Sequence, residues 1–397
     1  MNDKKLIPKL RFSGFTDEWN EVTLNDVATF SKGKGISKND ITDYGIECVR
    51  YGELYTKYNE MIYNIESKTN LDKNELKLSE KDDILIPCSG ETAIDLATAS
   101  CIQKDQVAIG GDITVIKTDQ YAPFITYYLN QKKTEIAKYA QGVSIVHLYP
   151  KDFKVMNIKI PSITEQKKII ALLEEISKKE RLLESKYQEY QDFKKFLMQQ
   201  IFAQKLRFDF NDEWNKVLLN DVAFIPKKTK LNDIDGLKLL TVKLHAKGIE
   251  INDRIKPKLT KRGRPYYIRK SGELLIGRQN FHNGGMGIVP QSLDGGICSN
   301  AISSFKVFED KIDVNYLYYF LARPEYYIKS ERLIGGTGQK EFSEKELLKL
   351  KIDLPSLEEQ SKIVDLLLNM DNKIQICENQ LNKTQEFKKG LLQQMFI

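Results

Sequence analysis

Few residues of this sequence have the types and the spacing that catalysis requires. Ser89, in the stretch Ser89-Gly-Glu-Thr92, has the chemistry of a nucleophile, but the sequence assigns no His–Asp pair to it. We therefore expect Ser89 and Thr92 to cap a turn. Glu-Ser-Lys, half of the motif of many nucleases, occurs at 66–68 and 184–186, and neither copy follows a Pro-Asp at a suitable distance. The sequence predicts no catalytic set.

Motifs for nucleotide, metal and methyl-transfer sites are also absent. The sequence contains no Gly-x-Gly-x-x-Gly, no Gly-x-x-x-x-Gly-Lys-Ser/Thr, no His-Glu-x-x-His and no Asn/Asp-Pro-Pro-Tyr/Phe. The five cysteines show no Cys-x-x-Cys spacing and the three histidines are dispersed. We interpret the cysteines as buried thiols in a reducing cytosol and expect no metal site. The cysteines stand at positions 48, 88, 101, 298 and 377.

Length and charge indicate a chain of two or three ordinary domains. The chain has 397 residues, of which 41% are hydrophobic. No apolar run approaches the roughly 18 residues that span a membrane, and the first residues lack an apolar signal core, so we expect a cytoplasmic protein without a membrane partner. The net charge is +6, and the stretch from Lys216 to Lys270 holds fifteen Lys/Arg against five Asp/Glu. This excess favours phosphate contacts, and a solvated basic face is the alternative.

Two long stretches are copies of each other and predict the elements that position the rest. Pro161-Ser-Ile-Thr-Glu-Gln-Lys-Lys-Ile-Ile returns as Pro355-Ser-Leu-Glu-Glu-Gln-Ser-Lys-Ile-Val. Phe193-Lys-Lys-Phe-Leu-Met-Gln-Gln-Ile-Phe202 returns as Phe387-Lys-Lys-Gly-Leu-Leu-Gln-Gln-Met-Phe396. Both matches have an offset of 194 residues, which indicates duplication.

Each copy predicts a long helix. Ser162 and Ser356 are each followed by Glu three residues later, a capping-box pattern directly after a proline, so we expect the helices to begin there. Apolar residues then recur every seven positions, which indicates a coiled-coil seam; two unrelated amphipathic surface helices are the alternative. The seam positions are Ile169, Ile176, Leu183, Tyr190 and Leu197 in the first helix, and Ile363, Met370, Cys377, Thr384 and Leu391 in the second, with Thr384 as the weak point.

Shorter matches show that the repeat is a whole unit. Leu10-Arg-Phe-Ser-Gly-Phe-Thr-Asp-Glu-Trp19 returns as Leu206-Arg-Phe-Asp-Phe-Asn-Asp-Glu-Trp214, and Leu24-Asn-Asp-Val-Ala28 returns as Leu219-Asn-Asp-Val-Ala223. A period near 195 residues is too long for a solenoid and predicts two domains related by an internal pseudo-dyad. We expect the tryptophan of each Leu-Arg-Phe motif to anchor a core.

Between these motifs the sequence predicts two irregular α+β domains with a curved or barrel-like sheet. Asp82-Asp-Ile-Leu-Ile86 aligns with Gly272-Glu-Leu-Leu-Ile276, and each predicts a short apolar strand. Tyr127-Tyr-Leu and Tyr319-Phe-Leu lie in comparable helical patterns. The predicted segments are residues 1–160 and 204–354 for the two domains, and 161–203 and 355–397 for the two helices.

The last loop before each helix is also paired. Gln141–His147 corresponds to Gly335–Glu341 at the offset of 194 residues. Loops on rigid scaffolds often have binding functions, which makes this pair a candidate site, and a plain glycine turn is the alternative.

The lengths of the helices predict how they pack. A helix of about 39 residues is roughly 58 Å long. Because the second domain begins directly after the first helix, antiparallel packing needs no long return of the chain. We therefore expect two related domains held apart by a stiff spacer.

These motifs resemble the specificity (S) subunits of type I restriction-modification systems. The resemblance rests on the Leu-Arg-Phe-x-x-Phe-x-Asp-Glu-Trp motif, the Pro-Ser-x-x-Glu-Gln-x-Lys-Ile helix starts, the Phe-Lys-Lys-x-Leu-x-Gln-Gln-x-Phe helix ends and the Gly335-Gly-Thr-Gly-Gln-Lys loop. Asp83–Ile94 also resembles a first recognition domain of that family. The family fold is α+β, with two repeated α/β target recognition domains separated by two long antiparallel coiled-coil helices in a pseudo-twofold arrangement.

The resemblance implies a subunit without catalytic residues of its own. Such a subunit recognises a bipartite sequence with a non-specific spacer in double-stranded DNA, and directs adenine methylation or restriction by its partners. The implied partners are two methyltransferase (M) subunits, docked on the helices, and two restriction (R) subunits. The chain itself would bind no cofactor, since S-adenosylmethionine would belong to M and ATP and Mg²⁺ to R. The alternatives are a coiled-coil scaffold with little DNA contact, and an enzyme with a cryptic site.

On this hypothesis, hydrogen bonds to base edges select each half-site, with Arg on guanine and Asn or Gln on adenine as the favoured pairs. Lysines would mostly position the DNA backbone. In the second domain we expect DNA contacts from Arg262, Arg264, Arg278, Gln279, Asn280, His282, Gln339 and Lys340. In the first domain we expect them from Lys32, Lys34, Ser89, Glu91 and Thr92. For Arg278 to Asn280, a polar strand end without DNA contact is the alternative.

Overall fold

The computed structural model describes residues 5–142, 146–229, 231–259, 263–330 and 341–397. The chain divides into two compact units, which we call unit 1 (Met1–Glu184 with Asn379–Ile397) and unit 2 (Ser185–Glu378). The division of the sequence at residues 160, 203 and 354 stays a prediction, because the units group each half of a long helix with the domain that it contacts.

Unit 1 is built from short strands, short helices and one half of each long helix. Its strands are β1 (Asn20–Thr23), β2 (Ala28–Lys32), β3 (Ile41–Thr42), β4 (Ile46–Val49), β5 (Met61–Ile62), β6 (Ser67–Thr69), β7 (Ile84–Pro87), β8 (Ser89–Gly90), β9 (Ser100–Ile102), β10 (Ala108–Ile109), β11 (Ile113–Thr118), β12 (Val146–His147) and β13 (Asn157–Ile160). Its helices are α1 (Glu53–Thr56), α2 (Ala93–Leu96), α3 (Ala122–Gln131), α4 (Lys133–Ile136), α5 (Pro150–Phe153) and the first half of α6 (Ile163–Phe202).

The main sheet of unit 1 has the strand order β2-β11-β7-β9-β5. Strand β11 is antiparallel to both β2 and β7, and β5 is parallel to β9. All four residues of β7, Ile-Leu-Ile-Pro, are buried, as expected for a strand covered on both faces. A second sheet has the order β10-β4-β6-β3, and β1 pairs with β13. The pair β8–β12 places the residues after β7 beside the loop that precedes α6.

Unit 2 repeats this plan with fewer strands. Its strands are β14 (Asn215–Leu218), β15 (Ala223–Phe224), β16 (Leu240–Val242), β17 (Ile249–Ile251), β18 (Tyr266–Ile268), β19 (Leu274–Gly277), β20 (Met286–Ile288), β21 (Ile297–Ser299), β22 (Ile302–Val307) and β23 (Lys351–Leu354). Its helices are α7 (Leu219–Val222), α8 (Val314–Leu321), α9 (Pro324–Ser330), α10 (Glu344–Leu347) and the first half of α11 (Leu357–Met395).

The main sheet of unit 2 has the order β15-β22-β19-β20. Its first three strands pair as β2, β11 and β7 do in unit 1, and β14 pairs with β23 as β1 does with β13. The predicted apolar strands are confirmed as β7 and β19, and the two tyrosine-rich helices as α3 and α8. Each unit distributes its strands over several short sheets.

The two long helices begin with the same serine cap. Ser162 Oγ accepts a hydrogen bond from the Glu165 backbone N–H at 3.4 Å, and Ser356 Oγ accepts one from Glu359 at 3.3 Å. The capping-box pattern also predicts that each glutamate side chain binds the backbone N–H of its serine. This prediction is wrong, because both glutamate side chains bind arginines of the Leu-Arg-Phe motifs.

These arginine–glutamate pairs fix each Leu-Arg-Phe motif to the start of a long helix. Arg11 donates from Nε and Nη2 to the two oxygens of Glu165, both at 2.8 Å. Arg207 donates in the same way to Glu359, at 2.9 and 2.7 Å. The hydrogen bond to its glutamate raises the pKa of each arginine further. Since both glutamates are buried, losing either arginine would leave an uncompensated buried charge.

The glutamine that follows each glutamate joins the helix to its domain. Gln166 Nε2 donates to the Pro161 carbonyl at 2.9 Å, and its Oε1 accepts from the Tyr121 backbone N–H at 3.1 Å. Gln360 makes the equivalent pair of bonds in unit 2. These contacts explain why Pro-Ser-x-x-Glu-Gln occurs at both helix starts.

A phenylalanine at or just after the end of each long helix fills an aromatic core. In unit 1, Phe396 stacks on Phe124 with ring centroids 5.3 Å apart and meets Trp19 edge-on at 6.5 Å. In unit 2, Phe202 meets Trp214 edge-on at 6.4 Å. Both tryptophans are buried, which confirms their expected role as core anchors.

Within each unit, the two helix halves run antiparallel. The core of unit 1 contains Ile169 from the start of α6 and Leu391 from the end of α11. The core of unit 2 contains Leu197 from the end of α6 and Ile363 from the start of α11. This arrangement confirms the predicted fold class, in which two repeated α+β domains contact a pair of long antiparallel helices.

Most of the predicted seam is buried, including its weak point. Leu183 and Tyr190 are half-buried, and the other eight seam residues are buried. Thr384 is accommodated because its Oγ1 donates to the Gln380 carbonyl of its own helix at 2.8 Å.

The cysteines are buried thiols, as expected, and none forms a disulfide. Burial raises the pKa of the Cys48 and Cys298 thiols to about 11, which makes them poor nucleophiles. Within the described ranges, no helix has the length and apolar content needed to cross a membrane.

Candidate nucleic-acid interface

Three of the sequence-predicted residues, Ser89, Arg278 and Gln279, lie just after a central strand of the main sheet of their unit. Strand β7 is followed by Cys88 and Ser89, and β19 is followed by Arg278 and Gln279. The Leu148 N–H donates to the Cys88 carbonyl at 3.0 Å, and the Phe342 N–H donates to the Arg278 carbonyl at 3.0 Å. Leu148 and Phe342 are 194 residues apart, so the two strand ends are equivalent positions of the repeat.

The strand-end site of unit 1 consists of Ser89 and His147. Their side chains meet at 3.1 Å between Oγ and Nδ1, and the two residues are direct partners in the β8–β12 pair. The expectation that Ser89 caps a turn is wrong, because Ser89 lies in a strand. Among the described residues, no carboxylate bonds to His147, so the orienting acid of a catalytic triad is missing. His147 is half-buried and can offer a hydrogen bond to a ligand, whereas Ser89 is buried.

Thr92 provides the cap that the sequence predicted for this stretch. Its Oγ1 accepts from the Asp95 N–H at 3.2 Å and donates to Asp95 Oδ2 at 2.6 Å. Both Thr92 and Glu91 are exposed at the start of α2, so Glu91 remains accessible to a ligand. Their predicted role as DNA contacts stays a prediction.

Basic and aromatic side chains adjoin the strand-end site of unit 1. Tyr149 stacks on His147 with centroids 5.9 Å apart, and the ammonium groups of Lys32 and Lys151 lie 5.5 and 5.9 Å from the Tyr149 ring centre. Lys32 and Lys151 are exposed. Such a group is suited to phosphate contacts beside a site that offers hydrogen bonds.

Lys34, another predicted contact, lies on a tightly fitted loop. Its backbone N–H donates to the Ile109 carbonyl at 2.9 Å, and its side chain is exposed. The loop approaches the chain at Gly110 so closely that a Cβ on Gly33 would lie 1.9 Å from the Gly110 carbonyl oxygen. The glycine therefore permits the approach that fixes Lys34 in place.

The strand-end site of unit 2 consists of Arg278, Gln279 and Glu341. Arg278 forms an ion pair with Glu341 through Nη2, and its Nη1 donates to the Asn300 carbonyl at 3.3 Å. Gln279 Nε2 donates to the second oxygen of Glu341 at 3.4 Å. Glu341 is 194 residues from His147, so both sites pair the strand end with the same loop position.

A second ion pair lies next to this site. Lys228 Nζ contacts both oxygens of Glu344 at 2.6 Å, and Ser303 Oγ donates to Glu344 at 2.9 Å. Burial opposes ionisation of Glu344, but the hydrogen bonds from Lys228 and Ser303 outweigh it and lower its pKa. Glu344 is therefore a fixed negative charge near Arg278.

A cleft of about 310 Å³ brings together three of the predicted residues, Arg264, Gln279 and Asn280. Asn252 and Tyr266 also line it. Asn280 is exposed, and its backbone carbonyl accepts from Gly285 at 2.7 Å, which holds the turn after β19. The cleft therefore presents amide and guanidinium groups of the kind that bind base edges.

The remaining predicted residues are not brought into this cleft. His282 lies in the following turn, with Nε2 3.1 Å from the Asn283 amide nitrogen, and its Nδ1 is buried without a partner among the described residues. Arg262, Gln339 and Lys340 lie outside the described residues, so their roles stay predictions.

Sequence reasoning did not include His147, Tyr149, Lys151 or Glu341 among the contacts. The signal for His147 and Glu341 was present, because they end two loops that correspond in position at the offset of 194 residues. Tyr149 and Lys151 have no comparable signal, since they become neighbours of Lys32 only through the β2-β11-β7 sheet and the chain that follows β12.

The chain is similar to a known specificity subunit. It is 24% identical over 398 residues to the type I restriction enzyme MjaVIII specificity subunit of Methanocaldococcus jannaschii, a match that covers 95% of this chain and 91% of that protein.

Two solved structures share the fold. The S subunit of the type I restriction-modification system from M. genitalium matches with a TM-score of 0.67 at 15% identity, over 98% of this chain and 99% of that one. A chain from a structure of complex assembly and conformational transition of the type I R-M system matches with a TM-score of 0.52 at 17% identity, over 94% and 96%. Both likenesses concern the fold.

The family comparison agrees with the duplication. The model of the type I restriction modification DNA specificity domain matches twice, at residues 16–190 and 211–386, and each match contains one strand-end site. Two copies of the domain on one chain, with a long helix at the end of each, place this protein in the family of type I restriction-modification specificity subunits.

Proposed function

We propose that this chain recognises a bipartite DNA sequence with a non-specific spacer and directs adenine methylation or restriction by partner subunits. The observation behind this proposal is the pair of strand-end sites. Both occupy equivalent positions of the repeat, but one holds Ser89 with His147 and the other holds Arg278 and Gln279 with Glu341. Two equivalent sites with different hydrogen-bonding groups are suited to two different half-sequences.

The chain acts as a recognition subunit and leaves chemistry to its partners. S-adenosylmethionine belongs to the methyltransferase subunits, and ATP and Mg²⁺ belong to the restriction subunits. Support comes from Ser89, whose contact with His147 lacks the third group of a nucleophilic site among the described residues. The compartment of such a complex is the cytoplasm.

Two methyltransferase subunits dock on the chain, with two restriction subunits completing the complex. Support comes from exposed apolar residues that recur at equivalent positions, one set in each unit, as expected for two identical partners. The pairs are Ile163 with Leu357, Leu182 with Ile376, Phe193 with Phe387, and Leu10 with Leu206.

Co-expression of the chain with its methyltransferase subunit tests the proposal. Mapping adenine methylation across a genome should give a two-part sequence, and duplex binding by the purified complex should weaken with salt. Replacing both Arg278 and Asn280 by Ala should abolish recognition of one half-site and leave assembly intact. Assembly without sequence-selective DNA binding would contradict the proposal and favour a scaffold, and methyl transfer by the chain alone would favour an enzyme.

A further inference from the structure

The ion pair between Arg278 and Glu341 combines a guanidinium, which can donate to a base edge, with a carboxylate that can orient it. We propose that Arg278 selects a guanine in the half-site recognised by unit 2, and that Glu341 is the positioning residue that orients its guanidinium. This inference rests on the proposed function, because it assigns a base to one of the two sites.

The donors of Arg278 match the acceptors of guanine in number. A guanidinium has five N–H donors, one on Nε and two on each terminal nitrogen. The Nε is buried, one donor of Nη1 contacts the Asn300 carbonyl and one donor of Nη2 contacts Glu341. Within the described part of the chain, one N–H on each terminal nitrogen is left. Guanine presents two acceptors, O6 and N7, to the major groove, and a bidentate contact from arginine is its commonest specific partner.

Glu341 has the contacts of a residue that holds another in place. Its two carboxylate oxygens bind different side chains, one Arg278 and the other Gln279. The side chains of Arg278 and Glu341 are 25% and 31% exposed, so the pair is partly accessible to a ligand. A guanidinium fixed before DNA arrives loses less side-chain entropy on binding.

The exposure of this pair distinguishes it from the pairs that stabilise the fold. In the pairs Arg11–Glu165 and Arg207–Glu359 the glutamate side chains are 1% and 2% exposed, and both join a motif to a helix start. Arg278 directly follows the central strand β19 and pairs with Glu341 beside the cleft that Gln279 lines. The pair therefore lies where a ligand can reach it.

Unit 1 supplies an internal comparison. Its strand-end site, in which Ser89 contacts His147, contains no arginine and no carboxylate in this contact. A guanine preference set by Arg278 should therefore be confined to one half-site of the target. Variants of Ser89 or His147 should alter only the other half-site.

The experiment uses the purified complex of the full chain with its methyltransferase subunit. Binding is measured against duplexes in which each position of the two half-sites is changed to every other base. For Arg278→Ala we expect the preference for guanine at one position to fall about 10- to 100-fold, while preferences at the other half-site are kept. Arg278→Lys keeps the positive charge but loses the paired N–H donors of the guanidinium. This variant should therefore lose the same base preference and retain more of the overall affinity for DNA.

Glu341 is tested by charge removal and by rescue. Glu341→Gln should reduce discrimination at the same single position, and Glu341→Asp should restore part of it. A merely structural role would lower complex stability or affinity for all sequences without changing base preference at one position. Ser89→Ala and His147→Ala are the matched controls in the other unit.

Three outcomes would overturn the inference. One is an unchanged base profile in Arg278→Ala with assembly and melting temperature intact. Another is a loss of preference at both half-sites, and the third is a critical base pair in the unit 2 half-site that is not G·C. If the wild-type complex binds DNA without sequence preference, the proposed function itself fails, and this result is distinct from the other three.

Discussion

Glu165 and Glu359 are the same residue of the repeat, yet they accept different sets of hydrogen bonds. Each binds the arginine of its Leu-Arg-Phe motif, but only Glu359 also accepts from a tryptophan, at 3.0 Å from Trp214 Nε1. The equivalent Trp19 Nε1 is buried without a partner among the described residues. The two copies therefore share the aromatic anchor but differ in one of its polar contacts.

This difference predicts unequal costs for the same substitution. Trp214→Phe removes a hydrogen bond to a buried carboxylate, whereas Trp19→Phe removes a buried N–H that lacks a described partner. We expect Trp214→Phe to lower the free energy of unfolding by about 2 kcal/mol more than Trp19→Phe. Urea unfolding gives the total, and amide hydrogen exchange in β7 and β19 assigns the loss to a unit. Equal losses would contradict the role given to the Trp214–Glu359 bond.

At the residue scale, sequence patterns could identify half of each strand-end site. Ser89, Arg278 and Gln279 follow apolar strands, where polar residues are conspicuous. Their partners His147 and Glu341 lie 58 and 63 residues further along the chain and meet them only through the folded sheet. Charge and residue type therefore suggested candidates, but the contacts depend on tertiary structure.

The long helices show how an element tolerates an imperfect seam. Thr384 occupies a seam position that is otherwise apolar, and it is buried. Its hydroxyl bonds to the Gln380 carbonyl of the same helix at 2.8 Å, so the polar atom is satisfied without a partner from another helix. The seam thus stays closed at this position.

A valine at position 384 should keep the shape of the seam and remove the hydroxyl. Since the Gln380 carbonyl also accepts the helical backbone bond, Thr384→Val should leave no unsatisfied group. We expect it to raise the free energy of unfolding by up to about 1 kcal/mol, measured by urea unfolding. Leu391→Ala, one seam position further on, is the matched control and should cost about 2–5 kcal/mol. A marked loss with Thr384→Val would mean that the hydroxyl has another partner.

At the element scale, local signals located the helices and central strands well. The Pro-Ser pattern placed the helix starts, because proline and a serine cap act within one turn of the chain. The capping-box prediction was wrong because tertiary contacts occupy the glutamate side chains. Arg11 and Arg207 bind the glutamates that a local rule assigned to the helix backbone.

At the scale of the whole molecule, the duplication has kept the framework and changed the sites. The arginine–glutamate ion pairs, the glutamine hydrogen bonds to each domain and the buried phenylalanine–aromatic contacts recur in both units. The side chains at the strand ends differ between the units. The repeated framework can be predicted from a single sequence because its motifs match each other. The target bases cannot be predicted in this way, because they depend on residues that differ between the two copies.

The two long helices have exposed apolar residues that recur at equivalent positions of the two copies. Phe193 and Phe387 are 50% and 58% exposed, one in each unit, and large aromatic side chains often dominate an interface. We expect Phe193→Ser to remove one methyltransferase subunit, Phe387→Ser the other, and the double variant both, as measured by native mass spectrometry of the co-expressed complex. Ile328→Ser is the control, because Ile328 is 55% exposed but its repeat position holds Thr134. Because the two copies of the apolar set lie in different units, the single variants should act independently; a single substitution that releases both partners would contradict two equivalent docking sites.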